Sequence, residues 1–205
     1  MIPINTPLLQ HSVDVIRIYL SGINGIFNFE QKELGSNEVS THEHKKAAPK
    51  TVTIGIITVS TTRALREDKS GLWMSEQAQK EGHRVVHHQV IPDDAGRIAA
   101  TVRTVIHEKK PQVVLITGGT GITKKDVTIE AVQPLFSKVL SAFGPLFAQF
   151  STQQIGSAAI LSRATAGVID NSIVFCMPGS LNACKLACTK LIFPELGHLV
   201  KHLHD

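Results

Sequence analysis

From Thr51 onward, the apolar and polar positions of the chain switch between two periods. Val52 to Val59 (VTIGIITV) is a nearly continuous β-branched run, the pattern of a parallel strand buried on both faces. Ser70 to Glu81 follows with Leu72, Trp73, Gln77 and Ala78 in a helical context, and Gly82 supplies a stop. Arg84 to Ile91 predicts a second strand ending at Pro92. Asp94 to Glu108 predicts a second helix with Ile98, Val102, Val105 and Ile106 on one face, and Gln112 to Thr117 a third strand. Further on, Val127 to Phe136 and Ala142 to Gln153 read as helical. Ala166 to Ile169 and Ser172 to Met177 flank Asp170-Asn171, a two-residue turn that predicts an antiparallel hairpin. A last amphipathic helix is expected from Leu181 to about His202, bent at Pro194. This alternation predicts an α/β fold: a three-layer αβα sandwich around a mostly parallel central sheet, with the antiparallel hairpin at its edge.

The first part of the chain lacks that regularity. Gly35 to Pro49 is polar enough for a linker, so we read residues 1–49 as an N-terminal extension and linker and 50–205 as the folded domain. Within the extension, the apolar stretch from Val13 to Phe29 suggests a short helix that packs on the domain or on a neighbouring subunit. Asp14, Arg17, Ser21 and Asn24 interrupt it and no basic region opens the chain, so neither a secretory signal nor a membrane span is expected. A content of 42% hydrophobic and 19% charged residues fits a globular protein rather than a disordered one. Cys176, Cys184 and Cys188 are an odd set without a C-x-x-C pair, which excludes a disulfide framework or a zinc site and predicts core residues in a reducing, cytoplasmic compartment. Residues 1–50 hold five basic and five acidic side chains, so the net charge of +4 resides in the domain, 16 against 12. Without a dense Lys/Arg run or an aromatic stripe, no nucleic-acid partner is predicted; the excess suits a small polyanion.

In open α/β sheets, ligands bind beyond the carboxyl ends of the strands, which directs attention to the loops after Val59, Ile91, Ile116 and Met177. The strongest signal is Thr117-Gly118-Gly119-Thr120-Gly121, where glycines let backbone N–H groups approach a phosphate. It matches neither a Walker A loop nor a Rossmann fingerprint, and on the glycines alone a ligand-free tight turn stays open. Asp126 beside that loop has two readings of equal weight: a carboxylate that tolerates phosphate by sharing Mg²⁺, or a helix N-cap. Asp94 is the expected cap of its helix, which frees Asp93 to face the site. Asp68 to Gly71 ends the first loop, with Ser70 the expected cap, and Pro178-Gly179-Ser180 opens the last helix in the manner of an anion site. Arg63, Arg66, Lys69, Lys124, Lys125, Arg163 and Lys185 add positive charge in the same loops or near them. His198 and His202 stand four apart on one helical face, but no third metal ligand accompanies them.

Taken together, TGGTGITKKDVTIEA, IPDD, LSRATAG and MPGSLNA resemble, in order, the signature segments of the MoaB/MogA family, which includes the gephyrin G domain. The likeness runs from about Val52 to His198 and leaves the extension outside it. It implies a MogA-like fold and Mg-ATP-dependent adenylylation of molybdopterin, with release of pyrophosphate. It also implies Asp93 and Asp126 as the essential acidic pair holding Mg²⁺. Nucleotide or molybdopterin contacts are implied for Asp68, Ser70, Gly71, Thr117, Gly118, Gly119, Thr120, Gly121, Lys125, Arg163, Pro178, Gly179 and Ser180. A homotrimer or homohexamer is expected by the same resemblance, along with contacts to other molybdenum cofactor biosynthesis proteins. Lys125 departs from the usual arginine, keeping charge without the bidentate fork, and Ile129 stands where proline is common. A catalytically silent molybdopterin-binding or scaffold homologue is the alternative, and a generic nucleotide hydrolase a third reading; retention of the aspartate argues for activity.

Overall fold

The computed structural model describes residues 49–204. The helix expected between Val13 and Phe29, and the linker from Gly35 to Ala48, lie outside the described residues.

The sheet has six strands: β1 (Thr53–Val59), β2 (Arg84–Ile91), β3 (Val113–Thr117), β4 (Lys138–Val139), β5 (Thr165–Ile169) and β6 (Ser172–Met177). Their order is β2-β1-β3-β6-β5-β4. The first four in that order run parallel, whereas β5 is antiparallel to β6 and to β4. Burial on both faces explains the β-branched content of β1. Ile54 and Ile56 enter one core with Met74, Ala78, Phe143, Phe147, Cys184, Leu196 and Val200, while Ile57 and Val59 enter a second with Ile98, Val102, Ile129 and Val132.

The helices cover both faces. α1 (Lys69–Lys80), α4 (Phe143–Ile155), α5 (Leu181–Ala187) and α6 (Leu196–His204) supply the first core; α2 (Ala95–Lys109) and α3 (Thr128–Val132) supply the second. The three-layer arrangement expected from the apolar pattern is therefore the one observed. The hairpin closes at Asp170, which takes the left-handed conformation (φ 51°) and leaves Ile169 opposite Ser172.

Three expectations need correction. The helix expected from Val127 to Phe136 is α-helical only through Val132 and tightens to a 3₁₀ turn at Gln133–Leu135, where Pro134 has no N–H to give. The single last helix is divided: α5 passes through a π-helical turn (Cys188–Ile192) and a 3₁₀ turn (Phe193–Glu195) around Pro194 before α6 begins. Finally, β4 was not anticipated; its two exposed residues are too few to show a period.

Candidate functional site

The four parallel strands end at one edge, and their following loops line a cleft of about 300 Å³. β1 contributes Val59 to Arg63, β2 leads to Asp93, β3 leads to Gly118 to Gly121 with Lys125 and Asp126 beyond, and β6 leads to Pro178 and Gly179. Leu161 completes the lining.

The glycine loop has its shape because two consecutive residues are left-handed, Gly118 at φ 96° and Gly119 at φ 62°. A Cβ at Gly118 would collide with the Val59 carbonyl oxygen, so the loop lies directly against the end of β1. Thr128 locks it from below: its N–H donates to the Gly119 carbonyl (2.9 Å) and its hydroxyl to the Gly118 carbonyl (2.8 Å).

Asp93 and Asp126 both border this loop, at Gly119 and Gly121 respectively, and are held alike. Asp93 Oδ2 accepts both the Thr61 N–H and the Thr61 hydroxyl at 2.7 Å, and Oδ1 lies 3.2 Å from where a Cβ of Gly119 would stand. Asp126 Oδ2 accepts the Thr123 N–H (2.9 Å) and the Thr123 hydroxyl (2.7 Å), next to Gly121. The Thr123 hydroxyl is the largest influence holding the Asp126 carboxyl below the usual carboxylate range; burial opposes it, and the Thr123 and Gly121 N–H groups and Arg163 add to it. Asp126 is not the helix cap, since the N-cap position of α3 is Val127 and carries no side-chain hydrogen bond. Asp94 is a cap, accepting the Arg97 N–H at 2.7 Å, which leaves Asp93 to the cleft.

The other residues singled out in the sequence divide by position. Thr120, Lys125, Pro178 and Gly179 line the cleft with the glycines and the two aspartates. Thr117 is fully buried behind it, its hydroxyl on the Pro178 carbonyl (3.0 Å). Ser180 caps α5 through the Ala183 N–H and lines a separate small cavity. Arg163 is engaged as a strut, donating to the Gly121 carbonyl (2.8 Å) and pairing with Glu130. Asp68, rather than Ser70, caps α1 by accepting the Gly71 N–H, because the Ser70 hydroxyl is directed to the Gly179 carbonyl. Asp68 itself is fully buried beside His88. Burial raises its carboxyl pKa, but the hydrogen bonds from His88, Thr58 and the Gly71 N–H outweigh that, and the net shift is downward.

Ser60, Thr61, Thr62 and Leu161 had not been singled out. The first three carried one usable signal, a polar run at the end of a buried strand. Of the basic residues, Arg63 joins Lys125 in the cleft, whereas Lys185 sits over the Trp73 ring. The three cysteines are buried, and burial pushes their thiols up, as befits core residues. His198 and His202 approach to 3.0 Å between Nε2 atoms, but among the described residues no group of three or more His, Cys, Asp or Glu gathers as a metal cluster. Among the same residues no helix is long and apolar enough to cross a membrane.

The chain is 48% identical over 167 residues to molybdenum cofactor biosynthesis protein B of Bacillus cereus, covering 81% of this chain and 99% of the relative. It is 42% identical over 173 residues to a protein of Pyrococcus furiosus named molybdopterin adenylyltransferase, covering 82% and 100%. A crystal structure of a molybdenum cofactor biosynthesis protein B superposes with a TM-score of 0.74 at 47% identity, over 77% of this chain and 98% of that one. The family model described as "Probable molybdopterin binding domain" matches residues 55–198, the span that supplies every loop of the cleft, and the chain belongs to this family, with molybdenum cofactor biosynthesis protein B among its relatives.

Proposed function

We propose that this chain adenylylates molybdopterin during molybdenum cofactor biosynthesis, consuming ATP and releasing pyrophosphate. The observation that carries this reading is the convergence of Asp93 and Asp126 on one glycine-lined cleft, in a chain 42% identical to a protein named molybdopterin adenylyltransferase.

The cleft suits Mg²⁺. Its two carboxylates are hard oxygen donors, and each is oriented by a threonine that occupies Oδ2. A two-carboxylate site completed by phosphate oxygens and water is the usual habit of this cation. When bound, Mg²⁺ supplies charge neutralisation at the phosphates. The chain's own residues do the rest. The Gly118 N–H is taken by the Met177 carbonyl and the Gly121 N–H by Asp126, so the N–H groups of Gly119 and Thr120 receive phosphate oxygens, and Lys125 and Arg63 offset charge on the transferred group. An oxygen of the molybdopterin phosphate bonds to the α-phosphorus of ATP as the α–β bridging P–O bond breaks. That nucleophile is already ionised near neutral pH, so the aspartates serve alignment rather than proton abstraction. Asp68, Ser70, Gly71, Thr117, Arg163 and Ser180 act from behind, by shaping the loops that bear the contacts.

The exposed apolar side chains Leu146, Ile155, Ile160 and Leu161, on α4 and the turn after it, support assembly into a homotrimer or homohexamer. A cytoplasmic location is the reading that the three buried, unpaired thiols and the biosynthetic role support. The deciding experiment mixes protein, ATP and freshly prepared molybdopterin. Pyrophosphate release is expected only with both substrates and magnesium, and release without the pterin, or none at all, overturns the proposal.

A further inference from the structure

Behind the cleft lies a hydrogen-bonded cluster around the buried Asp68 that the adenylyl-transfer chemistry does not use directly. It exists because β2 is irregular. Ile54 pairs with Val85, but Gly55 pairs with His87, so Val86 is an extra residue in a β-bulge. Strict alternation would place Val85 and His88 on opposite faces of the sheet. The bulge instead sets them opposite Ile54 and Ile56, both on the face that α1 covers.

There His88 Nε2 meets Asp68 Oδ2 at 2.9 Å, and the Thr58 hydroxyl donates to the same oxygen at 2.6 Å. The Gly71 N–H donates to Asp68 Oδ1 at 2.9 Å. Space is so limited that a Cβ at Gly71 would collide with both Asp68 and His88. One residue before that glycine, Ser70 is 2% exposed and donates its hydroxyl to the Gly179 carbonyl at 3.0 Å. Arg63 Nη1 approaches the same carbonyl at 3.4 Å. Gly179 lines the cleft and packs against Gly118. A continuous chain of contacts thus runs from the edge strand, through the first turn of α1, to the peptide that borders the glycine loop.

We propose that His88 is a positioning residue for the active cleft: by pairing with Asp68 it fixes the first turn of α1, and through Ser70 it keeps the Gly179 carbonyl turned away from the bound polyphosphate. The physical reason is charge. A carbonyl oxygen free to rotate toward a polyanion presents the wrong end of its dipole, and two donors on Gly179 prevent that. An unpaired buried carboxylate at position 68 would draw the Ser70 turn out of place. Substrate binding is therefore the quantity that suffers, ahead of the chemical step.

The inference rests on the adenylyl-transfer reading, and its test separates the two. Calorimetric binding of Mg-ATP and the KM and kcat for ATP are measured in wild type, H88F, H88Q, S70A and the H88F/S70A double variant. H88F and S70A are each expected to weaken Mg-ATP binding and raise KM about five- to tenfold, the worth of one hydrogen bond, with kcat within about twofold. The double variant should be no worse than the weaker-binding single one, because both break the same chain of contacts. H88Q, whose amide still donates to Asp68, should bind within about twofold of wild type. If H88F does not fold, S70A and H88Q carry the test. Unchanged binding in S70A, additive losses, or an H88F that melts lower yet binds normally would overturn the proposal. Failure of the adenylyl-transfer reading would appear earlier, as a wild type that neither binds Mg-ATP nor turns it over with molybdopterin.

Discussion

The cleft at the carboxyl edge of the sheet, about 300 Å³, has a larger counterpart at the amino edge, about 590 Å³. The larger hollow lies among Arg103, Thr104, His107 and Glu108 of α2, Pro134 and Leu135 after α3, and the Ile169-Asp170 turn. Both contain acids and bases. In the smaller cleft, however, four loops converge, two adjacent glycines are left-handed, and each of two carboxylates has one oxygen occupied by its own threonine. The larger one borders no glycine loop, and its Arg103, His107 and Glu108 are solvent-exposed side chains of one helix. Volume is thus a poor guide to chemistry here, and the orientation of donors a good one.

The most direct way to break this contrast is at Asp126. Asp126→Ala should reduce adenylyl transfer by at least about 100-fold, and Asp126→Asn nearly as much, since the amide keeps shape but not charge. Steady-state pyrophosphate release measures both. Because Asp126 is only partly buried and caps no helix, thermal stability should change little. A variant that retains a tenth of the activity would mean that the cleft does not work through this carboxylate.

Acid should separate cleft from core. The carboxyls of Asp68, Asp126 and Glu130 are all shifted downward, so each contributes stability that is complete above the unfolded value, about 4. That contribution disappears as pH falls through the depressed folded values. Most of the loss should come from Asp68, the fully buried one, because exposed pairs such as Glu130 with Arg163 are screened by solvent. Melting followed by circular dichroism should therefore show a falling Tm below about pH 4, with a smaller fall in Asp68→Asn. A Tm flat between pH 6 and pH 3 would contradict this account. A smaller effect is expected at Thr123. Thr123→Val removes the hydroxyl from Asp126 and should raise the magnesium requirement about tenfold, whereas Thr123→Ser should restore it.

How much of this was legible beforehand depended on whether the determinant was local. The run from Arg84 to Ile91 predicted β2 to the residue because Gly82 and Pro92 punctuate it. The glycine loop was legible for the same reason, as few other residues tolerate its backbone. Asp94 was readable as a cap, and that released Asp93 to the cleft. The bulge at Val86 was hidden, because an extra valine in a β-branched run leaves the apolar pattern intact. Without it, nothing connected Asp68 to a histidine 20 positions away, and Asp68 read as part of the loop before a helix capped by Ser70, with a ligand contact implied only by resemblance. Arg163 was misleading in a similar way: its charge suggested a phosphate contact, but Glu130 and the Gly121 carbonyl, distant in sequence, engage it.

The sharpest control on the comparison carries the smallest expected effect. Arg103→Ala and His107→Ala remove the arginine and the histidine of the larger hollow, and both residues are exposed on α2. The hydrogen bonds that hold Asp93, Asp126 and the glycine loop come from Thr61, Thr123, Thr128, Arg163 and Met177, none of which is on α2. Exposed substitutions without a buried partner change stability by about 0.5 kcal/mol or less. Activity should accordingly remain within about twofold of wild type, with an unchanged KM for ATP. A marked rise in KM would mean that the amino-edge hollow receives a substrate, which neither its lining nor the direction of the strands supports.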